Sequence, residues 1–101
     1  MPAFSDPFVH MEPERKMSTN ELIAALRMDL SAEQEAIISY LANAESTDHV
    51  LAKKVLIDIA NEERVHAGEF LRLIQILSPD EENYLAKGQT EVDSMEKNLL
   101  K

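Results

Sequence analysis

The sequence predicts an all-α protein in which two long helices form an antiparallel hairpin and a shorter helix follows. Apolar residues recur every three or four positions over residues 18–45 and again over 48–77, which is the period of a helix that buries one face. Only a tight connection around Ser46, Thr47 and Asp48 separates the two segments. A connection this short joins helices that pack side by side in opposite directions.

The length of 101 residues allows one domain at most. Residues 1–17 hold three of the four prolines and no periodicity, which predicts a flexible N-terminal arm. Residues 18–88 form the predicted helical domain, and residues 89–101 form a C-terminal tail with a weak helical pattern. The 45% hydrophobic content suffices for a core, but two helices bury little surface. Small folds of this kind need a metal, disulfides or oligomerisation.

Local signals predict where the helices begin and end. Ser18 with Glu21 has the spacing of a capping box at the start of the first helix. Thr47 or Asp48 is the predicted N-cap of the second helix, which should end before Pro79 because the residue preceding a proline avoids helical geometry. Pro79 then suits the first turn of a short third helix, closed by Gly88.

Composition excludes several classes of function. The absence of cysteine excludes disulfides, iron–sulfur clusters and cysteine-based zinc sites. A net charge of −9, from 19 acidic and 10 basic residues, makes nucleic acid a poor partner. No apolar run is long enough to span a membrane, and the N-terminus lacks the pattern of a signal peptide. We therefore expect a cytoplasmic protein.

Three polar residues interrupt the apolar stripes that the two long helices should turn towards each other. Glu33 lies on the first stripe, and Glu63 and His66 lie on the second as a Glu-x-x-His step. Counted from Thr47, the two glutamates lie at comparable heights, roughly 21 and 24 Å along their helices. His66 is one turn beyond Glu63 on the same face. We expect all three side chains to converge at one level of the seam.

Such a cluster has the ligands of half a dinuclear metal site. Burying two carboxylates and an imidazole without compensation is very unfavourable, and a divalent cation would neutralise them. These ligands suit iron, manganese or zinc better than copper(I) or calcium. Four-helix bundles that hold two metals use a Glu from each of two helices and a Glu-x-x-His from each of the other two. This chain supplies one of each, so dimerisation is predicted to complete both the bundle and the site.

Three further residues lie close to the predicted site. Tyr40, two turns after Glu33, would donate a hydrogen bond to a ligand carboxylate or serve as a core tyrosine with its hydroxyl at the rim. Glu35 and Glu62 flank the seam, where they would guide cations to the site or remain exposed helix carboxylates.

The segments LSAEQEAIISY (30–40) and NEERVHAGEF (61–70) resemble the encapsulated ferritins, which are short ferritin-like cargo proteins of encapsulin nanocompartments. The resemblance covers about residues 18–88. It implies that Glu33, Glu63 and His66 are metal ligands, that Tyr40 lies beside them, and that Glu35 lies on the path by which metal arrives.

The resemblance further implies a di-iron ferroxidase centre shared by two subunits, which oxidises Fe(II) to Fe(III) with dioxygen. Zinc, manganese or calcium would be substitutes for iron. The dimers would assemble into a decameric ring inside an encapsulin shell, and the shell would store the iron. The alternatives are a rubrerythrin-like peroxidase and a non-enzymatic helical assembly protein stabilised by metal. The C-terminal tail leaves two arrangements open, a weak docking peptide for the shell or a chain that is part of a longer fusion.

Overall fold

The computed structural model describes residues 15–101, and these form three α-helices. Helix α1 spans Thr19–Glu45, α2 spans Val50–Leu77 and α3 spans Glu81–Leu99. The predicted all-α class is therefore confirmed, with α1 and α2 packed as a hairpin. Most of the predicted flexible arm, residues 1–14, lies outside the described residues. None of the three helices combines the length and the apolar character that a membrane crossing requires.

The start of α1 is the predicted capping box. The backbone N–H of Glu21 donates to Ser18 Oγ over 3.2 Å, and the backbone N–H of Ser18 donates to Glu21 Oε1 over 3.0 Å. Arg15 adds a bidentate ion pair to the Glu21 carboxylate at 2.8 and 2.7 Å. The pKa of Glu21 is consequently lowered to about 2, first by the hydrogen bonds from Arg15 and then by the backbone hydrogen bond from Ser18.

The cap of α2 differs from the prediction. His49, and neither Thr47 nor Asp48, is the N-cap, and its Nδ1 accepts a hydrogen bond from the backbone N–H of Ala52 over 3.1 Å. Thr47 does not cap the helix. Its Oγ1 accepts a hydrogen bond from the backbone N–H of His49 over 3.1 Å, within the turn that precedes the helix. Thr47 thus stabilises the turn, and an imidazole nitrogen serves as the acceptor that a hydroxyl or carboxylate usually supplies.

Two of the four buried apolar residues of the hairpin are alanines. Ala44 on α1 is 2% exposed and Ala60 on α2 is fully buried. Leu26 and Ile74 complete the set of buried apolar residues among the described positions, at the other end of the hairpin from the turn. The hairpin therefore has a thin core, and large apolar side chains remain on its outer faces.

The third helix is longer than predicted and lies apart from the hairpin. It begins after the N-cap Asp80, so Pro79 precedes it, and it continues through Gly88 to Leu99 without a break. Gly88 therefore does not close the helix; its backbone never takes the positive φ that favours a terminal glycine. None of the residues of α3 is buried. A bidentate ion pair ties its first turn to α1, with Arg27 donating to the Glu81 carboxylate at 3.0 and 2.9 Å.

We expect Ile74→Ala to lower the free energy of unfolding by roughly 2–5 kcal/mol, because it leaves a cavity in a core of few residues. Ile74 is fully buried between the helices. Val50→Ala is the control, since Val50 is 81% exposed and such surface changes are usually within about 0.5 kcal/mol. Urea unfolding followed by far-ultraviolet circular dichroism measures both. Equal losses in the two variants would contradict the assigned core.

The Glu21 carboxylate should make stability depend on pH in the acid range. Its folded pKa of about 2 lies below its usual value of 4.5, so its contribution is complete above pH 4.5. That contribution is lost as pH falls from 4.5 towards 2. Glu21→Gln removes the charge but keeps a residue that suits the capping box. We expect the difference in thermal midpoint between wild type and Glu21→Gln to be largest near neutral pH and to shrink through this window.

The matched control for that titration is Asp93→Asn on exposed α3, for which no ion pair occurs within residues 15–101. Its difference from wild type should not follow the same course. A Glu21→Gln difference that stays constant from pH 6 to pH 2 would show that the pair with Arg15 adds no stability in solution.

Candidate metal centre

The hairpin brings the three predicted ligand residues together. Glu33 lies in the middle of α1, and Glu63 and His66 lie on successive turns of α2. One ligand atom from each of the three lies within 4.8 Å of the others. The comparable distances of the two glutamates from the turn account for this meeting, because antiparallel helices place residues at equal height side by side.

The three side chains do not satisfy one another by hydrogen bonding. Nδ1 of His66 lies 3.7 Å from Glu63 Oε2 and 3.9 Å from Glu33 Oε2, whereas nitrogen–oxygen hydrogen bonds measure about 2.7–3.2 Å. Glu33 Oε2 is buried and has no hydrogen-bond partner. A buried acceptor without a partner costs about 1–3 kcal/mol and more when charged. The cluster therefore has the electrostatics that favour binding of a cation.

A polar groove of about 480 Å³ runs from the cluster towards the turn. Glu33, Glu63, Glu35 and Tyr40 all line it. Ser39 and two small residues, Ala32 and Ala36, complete the lining. Glu62 is exposed and does not line this groove, so the structure separates it from Glu35.

On the other side of the cluster, the surface is apolar and open. A second pocket, of about 220 Å³, is lined by His66, Glu69, Phe70 and Leu73. His66 has a side chain 49% exposed, and Leu73 is 43% exposed. Leu73 lies on the same face of α2 as His66, and within residues 15–101 this end of the face remains exposed. The donor set of two carboxylates and one imidazole fits iron, manganese or zinc, and its open side leaves room for further ligands.

Comparisons with known proteins agree with this architecture. A family model described as Rubrerythrin matches residues 5–99. The encapsulin nanocompartment cargo protein EncC of Myxococcus xanthus is 39% identical over 77 residues, which are 76% of this chain and 58% of that protein. A ferritin-like–encapsulin shell fusion protein of Pyrococcus furiosus is 33% identical over 82 residues, which are 81% of this chain and 24% of that protein.

A solved structure extends the likeness to three dimensions. The crystal structure of the encapsulated ferritin domain from Pyrococcus furiosus superposes with a TM-score of 0.80 at 32% identity, over 84% of this chain and 87% of that one. The match covers most of both structures, whereas this chain spans little more than half of the first full-length relative and a quarter of the second. These findings confirm the resemblance seen in the sequence. The chain therefore belongs to the rubrerythrin family of ferritin-like proteins and groups with the encapsulated ferritins.

Proposed function

We propose that this protein is a ferroxidase that oxidises Fe(II) to Fe(III) with dioxygen at a di-iron centre shared by two copies of the chain. The observation that carries the proposal is the convergence of Glu33, Glu63 and His66, with one buried carboxylate oxygen left without a partner. Membership of a ferritin-like family supports iron as the metal. Iron supplies the redox chemistry, in which Fe(II) gives electrons to dioxygen.

Three ligand residues are half of what a dinuclear carboxylate site requires. A two-fold axis beside the open face of the hairpin would bring together four glutamates and two histidines. Glu33, Glu63 and His66 of each chain would together hold the two metals. The apolar surface beside His66, which includes Leu73, would then be covered by the partner hairpin, completing a four-helix bundle.

Five polar residues near the site have a role in this proposal. The carboxylates of Glu33 and Glu63 bind and orient the cations, and the neutral imidazole of His66 adds a nitrogen ligand. The Tyr40 hydroxyl in the groove would donate a hydrogen bond to a ligand carboxylate and fix its orientation. Glu35, exposed in the same groove, would attract Fe(II) towards the site. Glu62 lies outside the groove and is not given this role.

The relatives point to where the activity would operate. One is named as a cargo protein of an encapsulin nanocompartment, and another joins a ferritin-like part to an encapsulin shell protein. We propose that this chain, too, works inside an encapsulin shell in the cytoplasm and supplies Fe(III) for storage there. A decameric ring of dimers is the assembly that the family resemblance favours.

Replacing the ligand Glu63 should strongly slow the oxidation of Fe(II), whereas replacing the adjacent Glu62 should not. We expect Glu63→Ala to slow the oxidation of Fe(II) under air by more than tenfold, because loss of even an outer partner of a metal ligand costs roughly 10- to 100-fold in affinity or activity. Glu62→Ala is the matched control, an adjacent carboxylate on the same helix. Stopped-flow absorbance of Fe(III) formation measures both. Wild-type rates in Glu63→Ala would refute the ferroxidase proposal.

The family model described as Rubrerythrin favours a second candidate function, in which hydrogen peroxide takes the place of dioxygen as the oxidant. A rubrerythrin-like peroxidase would use the same ligands to reduce hydrogen peroxide. Wild-type protein, loaded anaerobically with Fe(II) and mixed with either dioxygen or hydrogen peroxide, distinguishes the two functions. Rapid oxidation by peroxide together with slow oxidation by dioxygen would favour the peroxidase.

A shared site also predicts that metal promotes association. We expect Zn(II), which takes the same ligands without redox chemistry, to raise the thermal midpoint of wild type and to shift monomers towards dimers in analytical ultracentrifugation. Glu33→Ala should lose both effects, and Gln34→Ala, one residue further along α1, should keep them. A wild-type protein that stays monomeric with and without metal would contradict the shared site.

A further inference from the structure

The imidazole of His66 faces the metal cluster with one of its two nitrogens. Nδ1 lies 3.7 Å from Glu63 Oε2 and 3.9 Å from Glu33 Oε2. A cation bound between these carboxylates would therefore take Nδ1 as its nitrogen ligand. A neutral imidazole that binds metal through one nitrogen carries its proton on the other. His66 would thus present Nε2 as an N–H donor, and a buried donor needs an acceptor.

The surface beside the ring offers one acceptor side chain. Among the described residues, the pocket of about 220 Å³ next to the cluster is lined by His66, Glu69, Phe70 and Leu73. Phe70 and Leu73 are apolar, so the Glu69 carboxylate is the acceptor that this lining provides. Glu69 forms no ion pair within residues 15–101. Its carboxylate is therefore not held by a basic residue of this part of the chain.

Helix geometry directs Glu69 towards His66. The two residues are three apart on α2, which makes them neighbours on the helix surface. Side chains on a helix lean towards its N-terminus, so the Glu69 side chain extends back over the turn that holds His66. Glu62 precedes His66 by four residues, and the same lean carries its carboxylate away from the ring. Glu62 also does not line the pocket, so Glu69 is the better placed of the two carboxylates.

Burial would bring the two side chains together. In the single chain both are exposed and no ion pair joins them. In the proposed two-chain site, the partner hairpin covers this apolar surface and removes water from both groups. A buried N–H without an acceptor and a buried carboxylate without a donor are each unfavourable. A hydrogen bond from Nε2–H to the Glu69 carboxylate removes both costs, so covering the pocket favours this bond.

We propose that Glu69 is a positioning residue, which accepts the Nε2–H of His66 and so holds the imidazole with Nδ1 towards the metal. Such a partner fixes the tautomer and the orientation of a ligating histidine and makes it a stronger ligand. Glu69 itself contacts neither the metal nor dioxygen. The inference rests on the proposed function, because it requires a metal at the cluster and a partner hairpin over the pocket.

The first test measures metal affinity. We expect Glu69→Ala to weaken Zn(II) binding, measured by competition with a chromophoric chelator, by roughly 10- to 100-fold. Glu69→Gln should remain closer to wild type, because its amide oxygen still accepts a hydrogen bond. Glu62→Ala is the matched control, since it removes the same charge from the other flank of His66, and it should bind as wild type does. Far-ultraviolet circular dichroism verifies that all variants are equally helical.

The second test observes the Nε2 proton directly. Co(II) takes the same ligands as Zn(II), and in the Co(II)-loaded protein the Nε2–H of a ligating histidine gives a strongly shifted proton resonance that disappears in D₂O. We expect this resonance of His66 to exchange slowly with solvent in wild type and in Glu62→Ala. In Glu69→Ala it should exchange faster. A residue that only stabilised the helix would not change this exchange rate selectively.

Four outcomes would count against the proposal, and they separate it from the ferroxidase proposal. Equal losses of affinity in Glu69→Ala and Glu62→Ala would show that only negative charge near the site matters, and would overturn it. A Glu69→Gln variant as weak as Glu69→Ala would overturn the role of acceptor. Zn(II) binding by Glu69→Ala equal to that of wild type would overturn this inference alone. A wild type that binds no Zn(II) would refute the metal centre itself, and the inference would fail with it.

Discussion

The structure depends on one electrostatic constraint, the meeting of two carboxylates and an imidazole at one level of a two-helix seam. Glu33 and Glu63 face each other across the seam, and one Glu33 oxygen is buried without a hydrogen-bond partner. The hairpin alone leaves this charge uncompensated, and its thin core has little free energy to offset the cost. A bound cation would remove this cost, and under the proposed function a second chain would supply its remaining ligands.

The hairpin must hold its register closely for the cluster to exist. A slip of one residue in either helix would turn its ligand by about 100° away from the seam. The structure limits such slips at both ends. Ala44 is buried near the turn, and Ala60 is buried one helical turn before Glu63. Thr47 and His49 fix the turn through their side-chain hydrogen bonds. At the far end, Ile74 is fully buried. The cluster lies between these two fixed points.

The parts of the fold that local chemistry determines were predictable from the sequence. The capping box of Ser18 and the apolar periods depend on neighbours along the chain, so the bounds of α1 and the convergence of the three ligand residues could be predicted. The cap of α2 could not, because a histidine rarely takes the place of a better acceptor that stands one residue before it. The prediction that Gly88 ends the third helix was wrong for a different reason. Glycine favours a helix end where the backbone turns to positive φ, and nothing in the sequence distinguishes that case from a glycine in the interior of a helix.

The position of α3 was also beyond sequence reasoning, because a bidentate ion pair between residues 54 positions apart orients it. Glu81 is the first residue of α3, and the pKa of its carboxyl is lowered by the hydrogen bonds from Arg27. This pair holds the start of α3 against α1 and leaves the remaining length of α3 uncovered.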